Sequence, residues 1–294
     1  MNRVSRNLTL AIGAVVAAAG LVASRPASAL AGDLCPVVVA HKTNPNAAPE
    51  NTVPGIASVP ATGARWVEMD LRDSKSGYSV LMHDDTVDRT TNGTGKVAEL
   101  GLTAMTAMDA NQYGPWNGAP PAKVPYAWDY LNAISVYGLN AVLDVKVDPT
   151  EFSAKKLLEY MDRWPGMRSR VVYMGNPSTV AMMRKYAGDT LRYTIIEYPP
   201  TGTMRTAEWL KGQGVSAYAV PAREITPDKV DYYQRSGLQV WTWTSDTGYD
   251  TPGTRQAMRD AGVDMLITNQ PTEAVRECPP LPATPQVAPS VSMG

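Results

Sequence analysis

The sequence predicts an α/β protein of the TIM (β/α)8 barrel class, with a small insertion after the second strand. Three observations predict it. Eight short apolar runs recur along the chain, with stretches of helix-like apolar spacing between them. Several runs are entered through glycine, as in Gly138-Leu139, Gly214-Val215, Gly237-Leu238 and Gly262-Val263, where a left-handed turn past a helix end sends the chain into the next strand. No glycine-rich dinucleotide loop follows the first run, which weighs against an open doubly wound sheet built from the same elements.

The strands are expected, in order, at 37–40, 66–71, 140–146, 170–174, 192–196, 217–220, 239–243 and 265–268. Helical spacing is clearest over 152–161, 178–186, 203–211, 227–233 and 253–261. One segment breaks the alternation. Residues 79–83 read as an extra short strand or loop, 88–95 are rich in turn residues, and a long irregular region runs on to Tyr126. An insertion on this βα loop sits over the catalytic face of a barrel, where Tyr113 and Trp116 either line a pocket mouth or pack the excursion itself.

The flanks read differently. Arg3 and Arg6, an apolar stretch over 8–23, and small-x-small patterns ending at Ala29 and Ala31 make residues 1–31 a secretory signal peptide, cleaved near Ala29 or Ala31. The apolar run is shorter than the roughly 20 residues of a membrane span, so no stable membrane insertion is expected. Cleavage after Ala31 removes three arginines and no acid, which takes the formal charge from −1 to −4. That balance lacks the basic footprint of a nucleic-acid binder, so no nucleic-acid partner is expected. Cys35 and Cys278 bracket the domain at 32–278, and in an exported chain the pair is expected to form a disulfide. The last sixteen residues contain five prolines and little that could build a core, which predicts a disordered tail over 279–294.

The chain holds only two histidines, His41 and His83, and both border acidic residues. Histidine, with an ordinary pKa of about 6.5, suits proton transfer near neutral pH. Side chains alternate along a strand, so Glu68 and Asp70 share one side, as do Asp144 and Lys146, and Trp241 and Trp243. Each pair stands toward the carboxyl end of its strand, where barrel active sites are built, and His41 follows the first strand at the same rim. Three inward carboxylates beside one lysine fit one hard divalent cation, Ca²⁺ or Mg²⁺; an ion-pair network without metal is the alternative.

The blocks His41-Lys42 with Pro49-Glu50-Asn51-Thr52, 63–70, 76–84 and Asp88-Arg89-Thr90-Thr91, in this order and spacing, resemble the glycerophosphodiester phosphodiesterase family. Val240-Trp241-Thr242 and 262–271 are similar to its closing block, and the likeness covers about 35–272. The resemblance implies His41 and His83 as the catalytic pair and Glu68, Asp70 and Asp144 as metal ligands. It implies Lys42, Lys146 and Trp241 among the substrate and phosphate contacts, with Glu50 supporting the metal or its water. Lys42 stands where the family has arginine, Thr43 where it has glycine, and Asp144 where it has glutamate. Trp243 and Thr244 replace a smaller residue and an asparagine, so the pocket for the alcohol is expected to differ.

The resemblance implies a secreted, metal-dependent phosphodiesterase acting on a small-molecule phosphodiester. It would release an alcohol and glycerol 3-phosphate, one histidine accepting a proton and the other donating one. Two other functions use the same residues: a phospholipase D-type enzyme acting on intact lipids, and a barrel that binds phosphate-bearing glycans without cleaving them.

Overall fold

A computed structural model describes residues 35–278, apart from 113, 117–120, 198–202 and 246–247. The expected leader and tail lie outside the described residues. Among the described residues the strands are β1 (Val37–Ala40), β2 (Trp66–Asp73), β3 (Ser79–Leu81), β4 (Asn140–Val145), β5 (Val171–Gly175), β6 (Arg192–Ile196), β7 (Ala217–Pro221), β8 (Gln239–Trp243) and β9 (Met265–Thr268). The helices are α1 (Val53–Ser58), α2 (Leu102–Ala107), α3 (Ala127–Val136), α4 (Glu151–Met161), α5 (Met167–Arg170), α6 (Pro177–Ala187), α7 (Ala207–Gly212), α8 (Pro227–Arg235), α9 (Pro252–Ala261) and α10 (Pro271–Arg276).

Eight strands pair in parallel in the order β1-β9-β8-β7-β6-β5-β4-β2, and β2 returns to β1 through Val39–Trp66 and Ala40–Val67. The barrel is closed, as the alternation of strand and helix predicts. β3 is the extra element. It pairs antiparallel with the far end of β2, Leu71 opposite Leu81, and opens the excursion to Tyr126. That excursion has a small core of its own, with Val80, Met82, Val87, Val97, Met105 and Val124 buried together.

Local chemistry sets the helix starts. Thr or Asn followed by Pro opens α6, α8 and α9, and the Asn176, Thr226 and Thr251 side chains each accept a hydrogen bond from the backbone N–H three residues on. The same rule corrects one boundary. The helix expected from 203 begins at Ala207, because Thr206 keeps an extended backbone and caps it.

Alternation along the strands sorts the core into two layers. Inward residues, including Val39, Val142, Val172, Ala219, Trp241 and Ile267, fill the barrel. Outward residues such as Val67, Met69, Leu143 and Val171 pack against the helices, through Leu131, Ile134, Leu157 and Met183. A disulfide joins Cys35 to Cys278, with Cα atoms 5.7 Å apart, and so ties the strand that opens the barrel to the segment after α10. No helix among the described residues is long and apolar enough to cross a membrane.

Asp73 is an outward residue of β2 in that second layer. Burial pushes its carboxyl up to about 6 from the usual 3.8, with a hydrogen bond from Ser153 opposing. The folded protein therefore holds a proton on Asp73 between those values that the unfolded chain has lost. Stability falls as pH rises through this window, and the deficit is complete above it. Asp73→Asn is expected to raise stability near pH 7.5 by about 2 kcal/mol, from a shift of that size discounted for solvent, and to leave it unchanged near pH 4. Melting curves at the two pH values check this, and an equal shift at both would overturn it.

Candidate active site

Side chains from the ends of β1, β2, β3, β4 and β9 meet at the carboxyl-terminal rim. The chain leaves β1 into a tight turn, His41–Thr43, closed by Asn44, and Lys42, Thr43 and Asn44 have φ of 44°, 64° and 73°. Three successive non-glycine residues in the left-handed region are strained, most of all the β-branched Thr43. The turn is held from beneath. Thr43 Oγ1 accepts from the Thr52 backbone at 3.2 Å, and Gly55 of α1 lies so close that a Cβ there would meet Thr43 Oγ1 at 2.3 Å. This is why a glycine suits position 43 and why Thr43 needs a glycine across from it. The turn aims the Lys42 backbone N–H at Glu68 Oε2, 2.8 Å away.

Glu68 and Asp70 project inward from β2, and the register sets Asp70 beside Asp144 of β4. Oxygens of all three carboxylates lie within 4.8 Å of one another. The edge of β2 between its pairings with β1 and β3 is filled by Asn51. Its Oδ1 accepts from the Asp70 N–H at 3.0 Å, and its Nδ2 donates to Asp70 Oδ2 at 2.7 Å. Lys146 follows β4 and reaches back, with Nζ 2.9 Å from Asp70 Oδ1 and hydrogen-bonded to Asp144.

One lysine cannot neutralise three buried carboxylates. Burial works to raise Asp70, but Lys146 overrides it and holds Asp70 well below the usual carboxylate range. Burial raises Glu68, and the charges on Asp70 and Asp144 push it further. Asp144 is raised by burial against the pull of Lys146. Glu68 Oε1 is buried with no hydrogen-bond partner. A buried oxygen with nothing to bind, in an all-oxygen set with surplus negative charge, fits a hard divalent cation.

The two histidines are held differently. His41 Nδ1 lies 2.7 Å from Asn269 Oδ1, just past β9, and its Nε2 lies 3.9 Å from Glu68 Oε2. Burial, helped by Lys42, pulls the His41 pKa down to about 4, so the ring is neutral at pH 7. An amide oxygen only accepts, so the proton sits on Nδ1 and the Nε2 lone pair is open. His83 Nδ1 lies 2.7 Å from Asp84 Oδ1. Arg89 donates from Nε to Asp84 at 2.5 Å and grips Glu50 with both terminal nitrogens, at 3.0 and 2.7 Å. Arg89 thereby holds the Asp84 carboxyl down at about 2.

The expected residues fall into three places. His41, His83, Glu68, Asp70, Asp144 and Lys146 belong to the rim cluster. Glu50 is gripped by Arg89, with Lys42 Nζ 3.8 Å away, so these two join the β1 turn to the excursion. Trp241 lies in the barrel interior beneath the rim, its Nε1 donating to Gln239 at 3.2 Å. Trp116, with Nε1 donating to the Pro45 carbonyl at 3.3 Å, lines a small cavity of about 50 Å³ together with Pro45, Pro49, Glu50 and Pro115. Tyr113 lies outside the described residues. Sequence reasoning gave no separate role to Asn51, Asp84, Arg89 or Asn269. Their signal was position alone: Asn51 and Asp84 each adjoin a site residue, and Arg89 and Asn269 each stand inside a block of the family resemblance.

Comparison with known proteins gives consistent results. The model of the glycerophosphoryl diester phosphodiesterase family matches residues 41–273. The chain is 26% identical over 238 residues to glycerophosphodiester phosphodiesterase 1 of Bos taurus, covering 71% of each chain. It is 24% identical over 245 residues to a glycerophosphodiester phosphodiesterase of Caldanaerobacter subterraneus, covering 80% of this chain and 94% of that one. Among solved structures, an Oleispira antarctica phosphodiesterase in complex with the product sn-glycerol-3-phosphate superposes with a TM-score of 0.72 at 21% identity, over 83% of this chain and 96% of that one. The last likeness is one of fold.

Proposed function

The chain belongs to the glycerophosphoryl diester phosphodiesterase family, and on that premise we propose that it is an exported, divalent-ion-dependent hydrolase using His41 and His83 as its proton acceptor and donor. The substrate is a glycerophosphodiester, cleaved to an alcohol and glycerol 3-phosphate. The observation that carries the reading is the pose of His41. It is neutral and fixed by Asn269, and it presents Nε2 beside three carboxylates that fit a cation.

Glu68, Asp70 and Asp144 would hold the ion, whose chemistry is to polarise the phosphoryl oxygens and offset their charge. Lys146 adds a fixed ammonium at the same place, 2.9 Å from Asp70. His41 Nε2 removes the proton from the attacking oxygen, supplied by water or by the neighbouring glycerol hydroxyl; where the hydroxyl attacks, water then opens the cyclic phosphate in a second step to give glycerol 3-phosphate. His83, its Nδ1 anchored on Asp84, returns a proton through Nε2 to the departing alkoxide, so one P–O bond forms and one breaks. Asp84 serves as the counter-charge of the imidazolium, as an aspartate does in hydrolytic triads. The product bound in the Oleispira antarctica structure is the phosphate ester this cleavage releases.

Release of glycerol 3-phosphate from glycerophosphocholine, with and without added Ca²⁺ or Mg²⁺, tests the reading, and an intact phospholipid run alongside separates it from a lipid-cleaving enzyme. Ion-stimulated release from the deacylated substrate supports it; release from the intact lipid alone would overturn it. Export rests on the basic and apolar pattern over 1–31 and agrees with the Cys35–Cys278 disulfide. Mass spectrometry of protein recovered from the medium should find an amino terminus at Leu30 or Gly32.

A further inference from the structure

Asp250 lies in the loop between β8 and α9, outside every role assigned above, yet its carboxylate is almost enclosed. It accepts from Thr268 Oγ1 at 2.9 and 2.8 Å and from the Asn269 backbone N–H at 2.8 Å. Arg255 Nη1 donates to it at 3.1 Å. Arg255 is itself buried and is held on its other side by Glu277, which Arg259 also binds. Glu277 precedes the disulfide-bonded Cys278. Asp250 therefore grips the last residue of β9, Thr268, and the residue after it, Asn269, and it is anchored from behind by a buried arginine.

Asn269 is the residue whose side-chain oxygen meets His41 Nδ1 at 2.7 Å. Its carbonyl is fixed as well, accepting from Asn46 Nδ2 at 2.5 Å. With backbone N–H and C=O both tied, the side chain leaves a fixed point in a fixed direction. A buried ion pair adds little net stability against an apolar replacement, so a carboxylate and an arginine enclosed here are weak evidence for a role in stability. Orientation is the better account.

We propose that Asp250 is a positioning residue that acts through Asn269 to hold His41 as the Nδ1–H tautomer, with Nε2 facing the carboxylates. The inference rests on His41 being the proton acceptor proposed above. Residues that orient a working imidazole through one intermediate change rates by about 10- to 100-fold or more.

The test is a double-mutant cycle in the full chain, with kcat and KM for glycerophosphocholine measured for Asp250→Ala, Asn269→Ala and the pair. Each single variant is expected to lose about 10- to 100-fold in kcat with KM within about twofold, and the pair to lose no more than Asn269→Ala alone. Asp250→Asn, which keeps an oxygen for the Asn269 N–H, is expected to recover part of the rate. Losses that multiply in the pair, or an Asp250→Ala enzyme with normal kcat, would overturn the proposal. If Asp250→Ala does not fold, Asp250→Ser carries the same cycle. A readout independent of turnover is the ¹⁵N spectrum of the imidazoles, assigned with His83→Gln. His41 is expected to show Nδ1–H in the wild type and a tautomer mixture in the Asp250 variant, and an unchanged spectrum would again overturn the role. Normal turnover in His41→Ala would instead bring down the functional reading beneath it, whereas an inactive His41→Ala beside a fully active Asp250→Ala removes this inference alone.

Discussion

His41→Ala and His83→Ala are each expected to lower kcat for glycerophosphocholine by at least about a hundredfold, the usual worth of a positioned acid or base. The two losses should differ in kind. His41 is neutral, its Nδ1 proton is committed to Asn269, and its Nε2 lies 3.9 Å from Glu68 Oε2. It is fit to accept a proton from the attacking oxygen, and that need is the same whatever group departs. His83 is bound through Nδ1 to Asp84, which Arg89 keeps ionised. It is fit to protonate the leaving alkoxide, and that need shrinks when the leaving group is stable as an anion. With a nitrophenyl diester in place of the choline diester, the His83→Ala deficit should fall to a few-fold while the His41→Ala deficit persists. Reversed sensitivities would exchange the two roles. Near-normal turnover of both variants on both substrates would remove the histidine mechanism altogether.

The barrel was readable because its signals are local. Strand bounds fall within about two residues of those read from the apolar runs, since each is a short buried segment and several are entered through a glycine. The helix start at Ala207 was misplaced because the capping threonine, Thr206, followed a stretch with similar spacing. The acidic cluster was readable for the same reason. Alternation puts Glu68 and Asp70 on one side, and the parallel register then brings Asp144 beside Asp70.

The residues that orient the histidines were not readable, because they are products of tertiary approach. Asn269 meets His41 across 228 positions of sequence, and Arg89 meets Glu50 across 39. Nothing in the spacing of Glu50 reveals that an arginine from the excursion grips its carboxylate. Trp241 shows the same limit. Its alternation with Trp243 gives the face, inward, but the depth below the rim depends on how the staggered strands stack. Position 43 is the reverse case. The substitution was visible in the sequence, while the left-handed φ that explains the family's glycine was not.

Glu68→Gln is expected to act in opposite directions on stability and on activity. In the ion-free protein burial raises the Glu68 carboxyl well above its usual value, with Asp70 and Asp144 adding to it. A raised acid keeps its proton in the folded state over a pH range where the unfolded chain has lost it. The ion-free protein therefore loses stability as pH rises above the unfolded value, and the deficit is full once the folded value is passed. A neutral amide that still accepts the Lys42 N–H removes this deficit, so the ion-free variant should melt higher than the wild type at neutral pH. The same change removes a charged oxygen donor from a set of three. Divalent-ion affinity and ion-dependent turnover should each fall by at least about a hundredfold, since even the outer partners of metal ligands are worth 10- to 100-fold. Cation binding to the wild type favours the ionised carboxylates that burial opposes in Glu68 and Asp144, so affinity should climb with pH, and calorimetry in two buffers of different ionisation heat should register proton release. Chelator treatment should abolish turnover and re-addition of Ca²⁺ or Mg²⁺ restore it. Turnover that survives exhaustive chelation, with no proton release on titrating the ion, would leave Lys146 to balance the cluster and reduce the three carboxylates to an ion-pair network.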